Sequence, residues 1–174
     1  DGRMRIGYLS GDFRDHPVTH LAGNLFRRHD RSRFEVHAFS YGRDDGSLCR
    51  KQVMADADRF IDVRGRANAA IAEAIRDAGI DVLIDLAGHT DGSRLGVLAH
   101  RPAPVQAHYL GYPATTGAEF VDYFLADRVV APSILDAEST DRFVRLPGCF
   151  MIWDESIASC APTERAVNEL PEKA

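Results

Sequence analysis

Asp12 and His16 are the first residues of this 174-residue chain whose types and spacing could do chemistry. They lie in Ser10-Gly-Asp-Phe-Arg-Asp-His-Pro17, directly after an apolar run from Ile6 to Leu9. A carboxylate four residues before an imidazole is material for general acid–base catalysis, with Asp12 taking a proton itself or orienting His16. Structural roles stand beside these. An Asp that follows Gly commonly closes an Asx-turn, and His16 could simply cap the helix that begins behind it. Pro17 is a favoured first helical residue, and Val18, Leu21, Ala22, Leu25 and Phe26 follow at helical spacing. The positive end of that helix disfavours a second positive charge, so His16 is expected as a neutral hydrogen-bond acceptor.

Where such a pair sits decides what it can meet. In an open parallel sheet, ligands lie beyond the carboxyl ends of the strands and against helix N-termini. Two further loops share the character of residues 10–17. Gly88-His-Thr-Asp-Gly92 and Leu110-Gly-Tyr-Pro-Ala-Thr-Thr-Gly117 each follow an apolar strand and mix glycine with polar or histidine side chains. If the strands are parallel, the three loops meet at one edge and form a ligand crevice. His89 would there offer an imidazole to a sugar or phosphate, or else remain a solvated loop histidine.

Other spacings lead away from metals and nucleotide cofactors. His16 and His20 have the i, i+4 spacing of zinc proteases, but Pro17 holds the place of the required Glu. Gly11 stands alone, so the G-x-G-x-x-G fingerprint of nicotinamide and flavin proteins is missing. Asp44-Asp45-Gly46 lacks the spacing of a calcium loop and reads as a turn. His29, His37, His100 and His108 read as surface or strand residues without a function.

The elements that must position these loops alternate strand with helix. Strands are expected at Ile6–Leu9, Phe34–Phe39, Phe60–Val63, 81–88, Val105–Leu110, Asp122–Ala126 and 143–146. Helices are expected from Pro17, from Ser47 as N-cap through about Ala57, over 71–78 with Gly79 past its end, and over 93–100. Beyond Pro147 the periodicity fades, leaving 154–174 as a loop, weak helix or frayed tail. This order favours an α/β fold, a doubly wound and mainly parallel Rossmann-like sheet.

Composition agrees with a folded domain: 45% hydrophobic and 27% charged residues argue against disorder. The net charge of −5 gives no basic field for nucleic acid. No apolar window approaches the roughly 18–20 residues of a membrane span. Cys49, Cys149 and Cys160 are odd in number and far apart, which suggests no disulfide framework and a cytoplasmic location. The chain begins without methionine, as an excised piece of a longer one would.

Several ordered motifs carry a family resemblance. Gly2-Arg-Met-Arg-Ile-Gly-Tyr-Leu-Ser-Gly-Asp-Phe-Arg-Asp-His-Pro17 resembles the opening of the catalytic region of protein O-GlcNAc transferases. These, with the SPINDLY-type proteins, form glycosyltransferase family 41. Phe34-Glu-Val, Tyr41 with Asp44-Asp-Gly46, Asp85-Leu-Ala-Gly-His-Thr90, Arg101-Pro-Ala-Pro-Val-Gln106, Leu110 to Gly117, Asp122-Tyr and Arg145-Leu-Pro147 continue it over about residues 2–150.

The resemblance implies the N-terminal lobe of a two-lobed GT-B glycosyltransferase over 1–150, followed by a divergent tail over 151–174. Family members move N-acetylglucosamine from UDP-GlcNAc to Ser or Thr hydroxyls of proteins with inversion and no required metal or cofactor. By this analogy Asp12 is a candidate base acting through water, and His16 helps shape the sugar and acceptor site. Pro17, His89, Thr90, Leu110, Gly111 and Pro113 are implied to bind the donor sugar or the acceptor. A second lobe that grips uridine and diphosphate is not visible in the sequence, so the chain alone is expected to be inactive or nearly so. Rival expectations are a related transferase for fucose or glucose, and a non-catalytic α/β module that self-associates or pairs with a separate lobe.

Overall fold

In the computed structural model, which describes residues 2–137 and 139–152, each strand of the sheet runs the same way. The chain runs β1 (Met4–Ser10), α1 (Pro17–Arg28), β2 (Phe34–Ser40), α2 (Leu48–Asp56), β3 (Arg59–Asp62), α3 (Asn68–Asp77) and β4 (Val82–Asp85). It continues through a 3-10 segment (Leu95–His100), β5 (Val105–Tyr109), β6 (Tyr123–Ala126), a second 3-10 segment (Ser133–Ala137) and β7 (Arg142–Arg145). The strand order is β3-β2-β1-β4-β5-β6-β7, a doubly wound sheet. The order reverses between β1 and β4, which pair through Ile6–Leu9 against Val82–Asp85. Loops at the carboxyl ends of these two strands diverge there and leave a crevice.

Alternation along β1 shows how both faces are covered. Ile6 and Tyr8 turn into one core with Phe13, Val18, Ala22 and Phe26, under α1. Leu9 turns the opposite way, into a core with Phe39, Ile71, Ile75 and Leu83, under α3. Successive strand side chains alternate between faces, so near-continuous apolar runs such as 82–87 suit a strand buried on both sides. Burying a side chain such as Phe26 or Ile75 contributes roughly 1.5–3 kcal/mol.

The helix boundaries have local causes. Pro17 begins α1, and Arg27 and Arg28 lie in its last turn, where cations favour the helix dipole. Ser47 caps α2 by accepting the Arg50 amide. Gly79, at φ 65°, follows α3. The helix expected over 93–100 is instead a 3-10 segment, Leu95–His100, ended by Arg101 in a left-handed conformation. Gly96 within it and Pro102 just beyond favour a short turn over a longer helix. The tail expected over 154–174 lies outside the described residues. Among the described residues, no helix is long and apolar enough to cross a membrane.

Candidate active site

The crevice holds a polar cleft of about 500 Å³, lined by three loops. Gly11, Asp12 and Arg14 come from the loop after β1; Tyr41, Gly42 and Arg43 from the loop after β2; Thr90, Asp91 and Gly92 from the loop after β4. The volume falls in the range that holds a small ligand. Carboxylates and guanidinium groups stand together in it, so it can both take a proton and hold an anion.

Asp12 sits at the cleft edge with its side chain mostly shielded. Its Oδ1 accepts from Arg14 Nη2 at 2.8 Å. Ser10 Oγ accepts the Asp12 amide at 2.9 Å, and the Thr19 hydroxyl donates to the Asp12 carbonyl. The turn is thus closed by Ser10 and by main-chain groups, while the Asp12 carboxylate pairs with a side chain in place of an Asx-turn.

His16 is the N-cap of α1. Its Nδ1 accepts from the Val18 amide at 3.2 Å. An acceptor nitrogen carries no proton, so a neutral ring holds its proton on Nε2. Nδ1 also lies 3.6 Å from Asp12 Oδ2. That is proximity without a hydrogen bond, because neither atom has a proton to give. Both readings of His16 therefore meet in one residue: it caps the helix and stands beside the carboxylate.

The remaining candidates divide into groups. Thr90 lines the cleft with Asp12, and its hydroxyl donates to the Ala87 carbonyl. His89 turns toward the loop 110–117, with Nε2 2.7 Å from the Thr116 carbonyl and its ring edge-on to Tyr112. Gly111 crosses under the β4 loop so closely that a Cβ there would lie 2.1 Å from the Leu86 carbonyl oxygen. Leu110 is buried in the core at a left-handed φ of 69°, so it offers the crevice backbone and no side chain. Pro17 is exposed at the first turn of α1. Pro113 lines a separate apolar cavity of about 310 Å³ with Phe124, Val130 and Phe143. The loop 110–117 touches the loop 88–92 but does not line the Asp12 cleft.

Sequence reasoning passed over three groups that build this site. Tyr41 and Gly42 close against the first loop: a Cβ on Gly42 would lie 1.7 Å from the Gly11 carbonyl oxygen. Burial pushes the Tyr41 phenol up, and the carboxylates of Asp85 and Asp12 add to it. Arg50, buried in α2, donates to the Phe13 carbonyl and Ser40 Oγ and pairs with Asp62 and Asp44. His108 and Asp85, both fully buried, lie under loops 88–92 and 110–117. The turn-rich run 41–46 was a signal for the first group. Asp85 opens a run that carries the family resemblance, whereas nothing local signalled Arg50 or His108.

The model of glycosyl transferase family 41 matches residues 1–173. A Caenorhabditis elegans UDP-N-acetylglucosamine–peptide N-acetylglucosaminyltransferase is 40% identical over 155 residues, covering 88% of this chain and 14% of that protein. A probable enzyme of the same description from Arabidopsis thaliana, SEC, is 38% identical over 152 residues, covering 87% of this chain and 16% of that one. Among solved structures, a mutant O-GlcNAc transferase from Thermobaculum terrenum superposes with a TM-score of 0.81 at 38% identity, over 86% of this chain and 28% of that chain. The chain thus spans less than a fifth of the curated relatives it matches.

Proposed function

The chain belongs to glycosyl transferase family 41, and from that premise we propose that it is the donor-sugar side of a UDP-GlcNAc-dependent protein glycosyltransferase. In this reading residues 1–150 are the N-terminal lobe of a two-lobed enzyme, 151–174 a divergent tail, and a second lobe grips the uridine and diphosphate. The observation that carries the reading is Asp12 at the rim of a cleft at the β1–β4 reversal, with Thr90 across it.

The chemistry assigned is a single inverting displacement. A Ser or Thr hydroxyl of a protein acceptor attacks the anomeric carbon of GlcNAc as the bond to the UDP oxygen breaks. The hydroxyl proton passes, through water, to Asp12. Arg14 occupies Oδ1 of that carboxylate, which leaves Oδ2 for the proton. Nε2–H of His16 is a donor available to sugar or acceptor oxygens. The transfer uses no metal or cofactor in this scheme, and the cytoplasm, where the thiols of Cys49 and Cys149 remain free, is its assigned place. Stabilising the leaving group is among the larger catalytic terms, so the chain without a second lobe binds donor weakly and transfers little.

Titration of the isotope-labelled chain with UDP-GlcNAc tests this by NMR. Amides of Asp12, Thr90 and Gly92 should move while those of β7, at the far edge of the sheet, do not. Donor at millimolar concentration that leaves the cleft amides unmoved would overturn the site. Robust sugar transfer to protein by this chain alone would overturn the half-site assignment.

A further inference from the structure

Three side chains from three elements meet on the surface beside the cleft without lining it. Asp15 comes from the loop after β1, His20 from the first turn of α1 and Cys49 from the first turn of α2. His20 Nε2 lies 2.8 Å from Asp15 Oδ1, and His20 Nδ1 lies 3.8 Å from Cys49 Sγ. One ligand atom from each residue falls within 4.8 Å of the other two. We propose that Asp15, His20 and Cys49 form a three-ligand site for a zinc-type transition-metal dication, with water or an outside ligand in the fourth position.

The donor set selects the class of ion. Calcium and magnesium take oxygen ligands, whereas a carboxylate, an imidazole and a thiolate together suit a borderline-soft dication. Ligand atoms around tetrahedral zinc stand about 3.3–3.8 Å apart, given metal–ligand bonds of about 2.0–2.3 Å. Closing to that geometry takes movements of roughly an ångström by side chains of which Asp15 and His20 are exposed. The ring gives one nitrogen to the metal and releases its present contact at that atom. Binding is written as the dication plus the Cys49 thiol giving a metal–thiolate bond and one proton released to solvent.

The same residues also have the order of a nucleophile relay, thiol to imidazole to carboxylate. Their surroundings favour the cation. The carboxylate of Asp15 and that of Asp45, which is bonded to the Asp15 amide, attract a dication to this cluster. Asp45 also fixes the backbone of the site, since it accepts the amides of Asp15 and Ser47 at 2.8 and 3.0 Å. A bound ion would staple α1 to α2 and anchor the loop that carries Asp12.

Cobalt(II) titration of the reduced, chelator-stripped chain tests the site independently of any transfer activity. One equivalent should bind with a thiolate-to-cobalt charge-transfer absorption and the strong visible bands of four-coordinate cobalt, both displaced by zinc. Cys49→Ser should abolish the charge-transfer band. His20→Ala and Asp15→Asn should weaken binding by at least about tenfold, since even outer-shell changes do as much. A variant carrying both Cys149→Ser and Cys160→Ser should behave as the parent chain. Wild-type chain without a thiolate band, a band that survives Cys49→Ser, or unchanged affinity in His20→Ala would each overturn the proposal. The wild-type titration alone decides it if a variant fails to fold.

Discussion

His108 Nδ1 lies 3.4 Å from Asp85 Oδ2, with both side chains fully buried beneath the crevice loops. The pair ties two loops to the sheet, because Asp85 Oδ2 also accepts the Gly88 amide at 2.6 Å and His108 Nε2 faces the Tyr112 carbonyl at 2.5 Å. Burial opposes a charged imidazole here, but the Asp85 carboxylate, the Tyr112 carbonyl and the charge of Asp141 outweigh it and raise the His108 pKa. A histidine whose folded pKa exceeds the unfolded value of about 6.5 stabilises fully below that value, and the contribution is lost as pH climbs through the higher folded value. Thermal melts should therefore show stability falling from about pH 6 upward, and His108→Phe should remove that slope. The variant should also lose about 3 kcal/mol at pH 6, as Asp85 is left buried without its partner. Parallel pH profiles for the two proteins would contradict the assignment.

Arg50 links four segments around the cleft. It donates to the Phe13 carbonyl at 3.1 Å and Ser40 Oγ at 3.0 Å, and it stands 3.3 and 3.2 Å from Asp62 and Asp44. Its guanidinium also lies over the Phe60 ring. Removing one partner of a buried ion pair typically costs 3–5 kcal/mol, and these carboxylates are part-exposed, so Arg50→Met should cost about 3 kcal/mol. Urea denaturation checks it. A change below about 1 kcal/mol, the scale of surface pairs, would place Arg50 among ordinary surface cations.

Two glycines of the cleft separate close approach from backbone conformation. Gly42 has the Gly11 carbonyl in the place of a Cβ, whereas Gly92 has open space and a φ of 69°. Gly42→Ala must push the first two loops apart and should cost about 2–3 kcal/mol, the upper part of the range for overpacking. Gly92→Ala meets only backbone strain, about 1–2 kcal/mol. Gly42→Ala should weaken donor binding the more, because it alone displaces the loop that holds Asp12. Equal effects on donor binding would undo the distinction.

Much of this architecture was legible because it is local. Pro17 and the apolar spacing behind it marked the start of α1, and Ser47 marked α2, since caps and periodicity act within one or two turns. The parallel sheet was legible from alternating strands and helices, and with it the meeting of loops 10–17 and 88–92. What stayed hidden depends on distant partners. Arg50 looks like any helix-surface cation until β2, β3 and two loops close around it. His108 reads as an ordinary strand residue because only the strand order sets β5 beside β4, with His108 level with Asp85. Leu110 follows an apolar strand and opens one of the runs that carry the family resemblance, yet its side chain completes the core. Loop 110–117 consequently meets the Asp12 cleft only through loop 88–92.

His16 joins a structural role to a candidate functional one, and substitution can part them. His16→Ala removes the acceptor for the Val18 amide and should cost about 1 kcal/mol, as loss of an N-cap does. His16→Asn keeps a good cap and should hold stability to within a few tenths of a kcal/mol, but it lacks the imidazole Nε2–H. If His16 also contacts the donor sugar, both variants weaken UDP-GlcNAc binding although only one is unstable. Donor binding that tracks stability, with His16→Asn indistinguishable from the parent chain, would leave His16 a cap alone.

Asp12→Asn is the sharpest test of the chemistry because the fold asks little of that carboxylate. Among the described residues its side-chain partners are Arg14 at 2.8 Å and the neighbouring His16 ring, while Ser10, Thr19 and Arg14 hold the loop through main-chain groups of residue 12. Asparagine is isosteric, keeps an oxygen for Arg14 and cannot accept a proton. The variant should melt within about 1 kcal/mol of the parent, as expected for loss of a part-exposed ion pair. Measured with a second lobe present, transfer from UDP-GlcNAc should fall by about 10²–10⁴-fold, the usual worth of a general base, with donor affinity changed only a few-fold. A loss carried by donor affinity with turnover unchanged would make Asp12 a binding residue, since an interaction made equally in ground and transition states affects KM and leaves kcat alone.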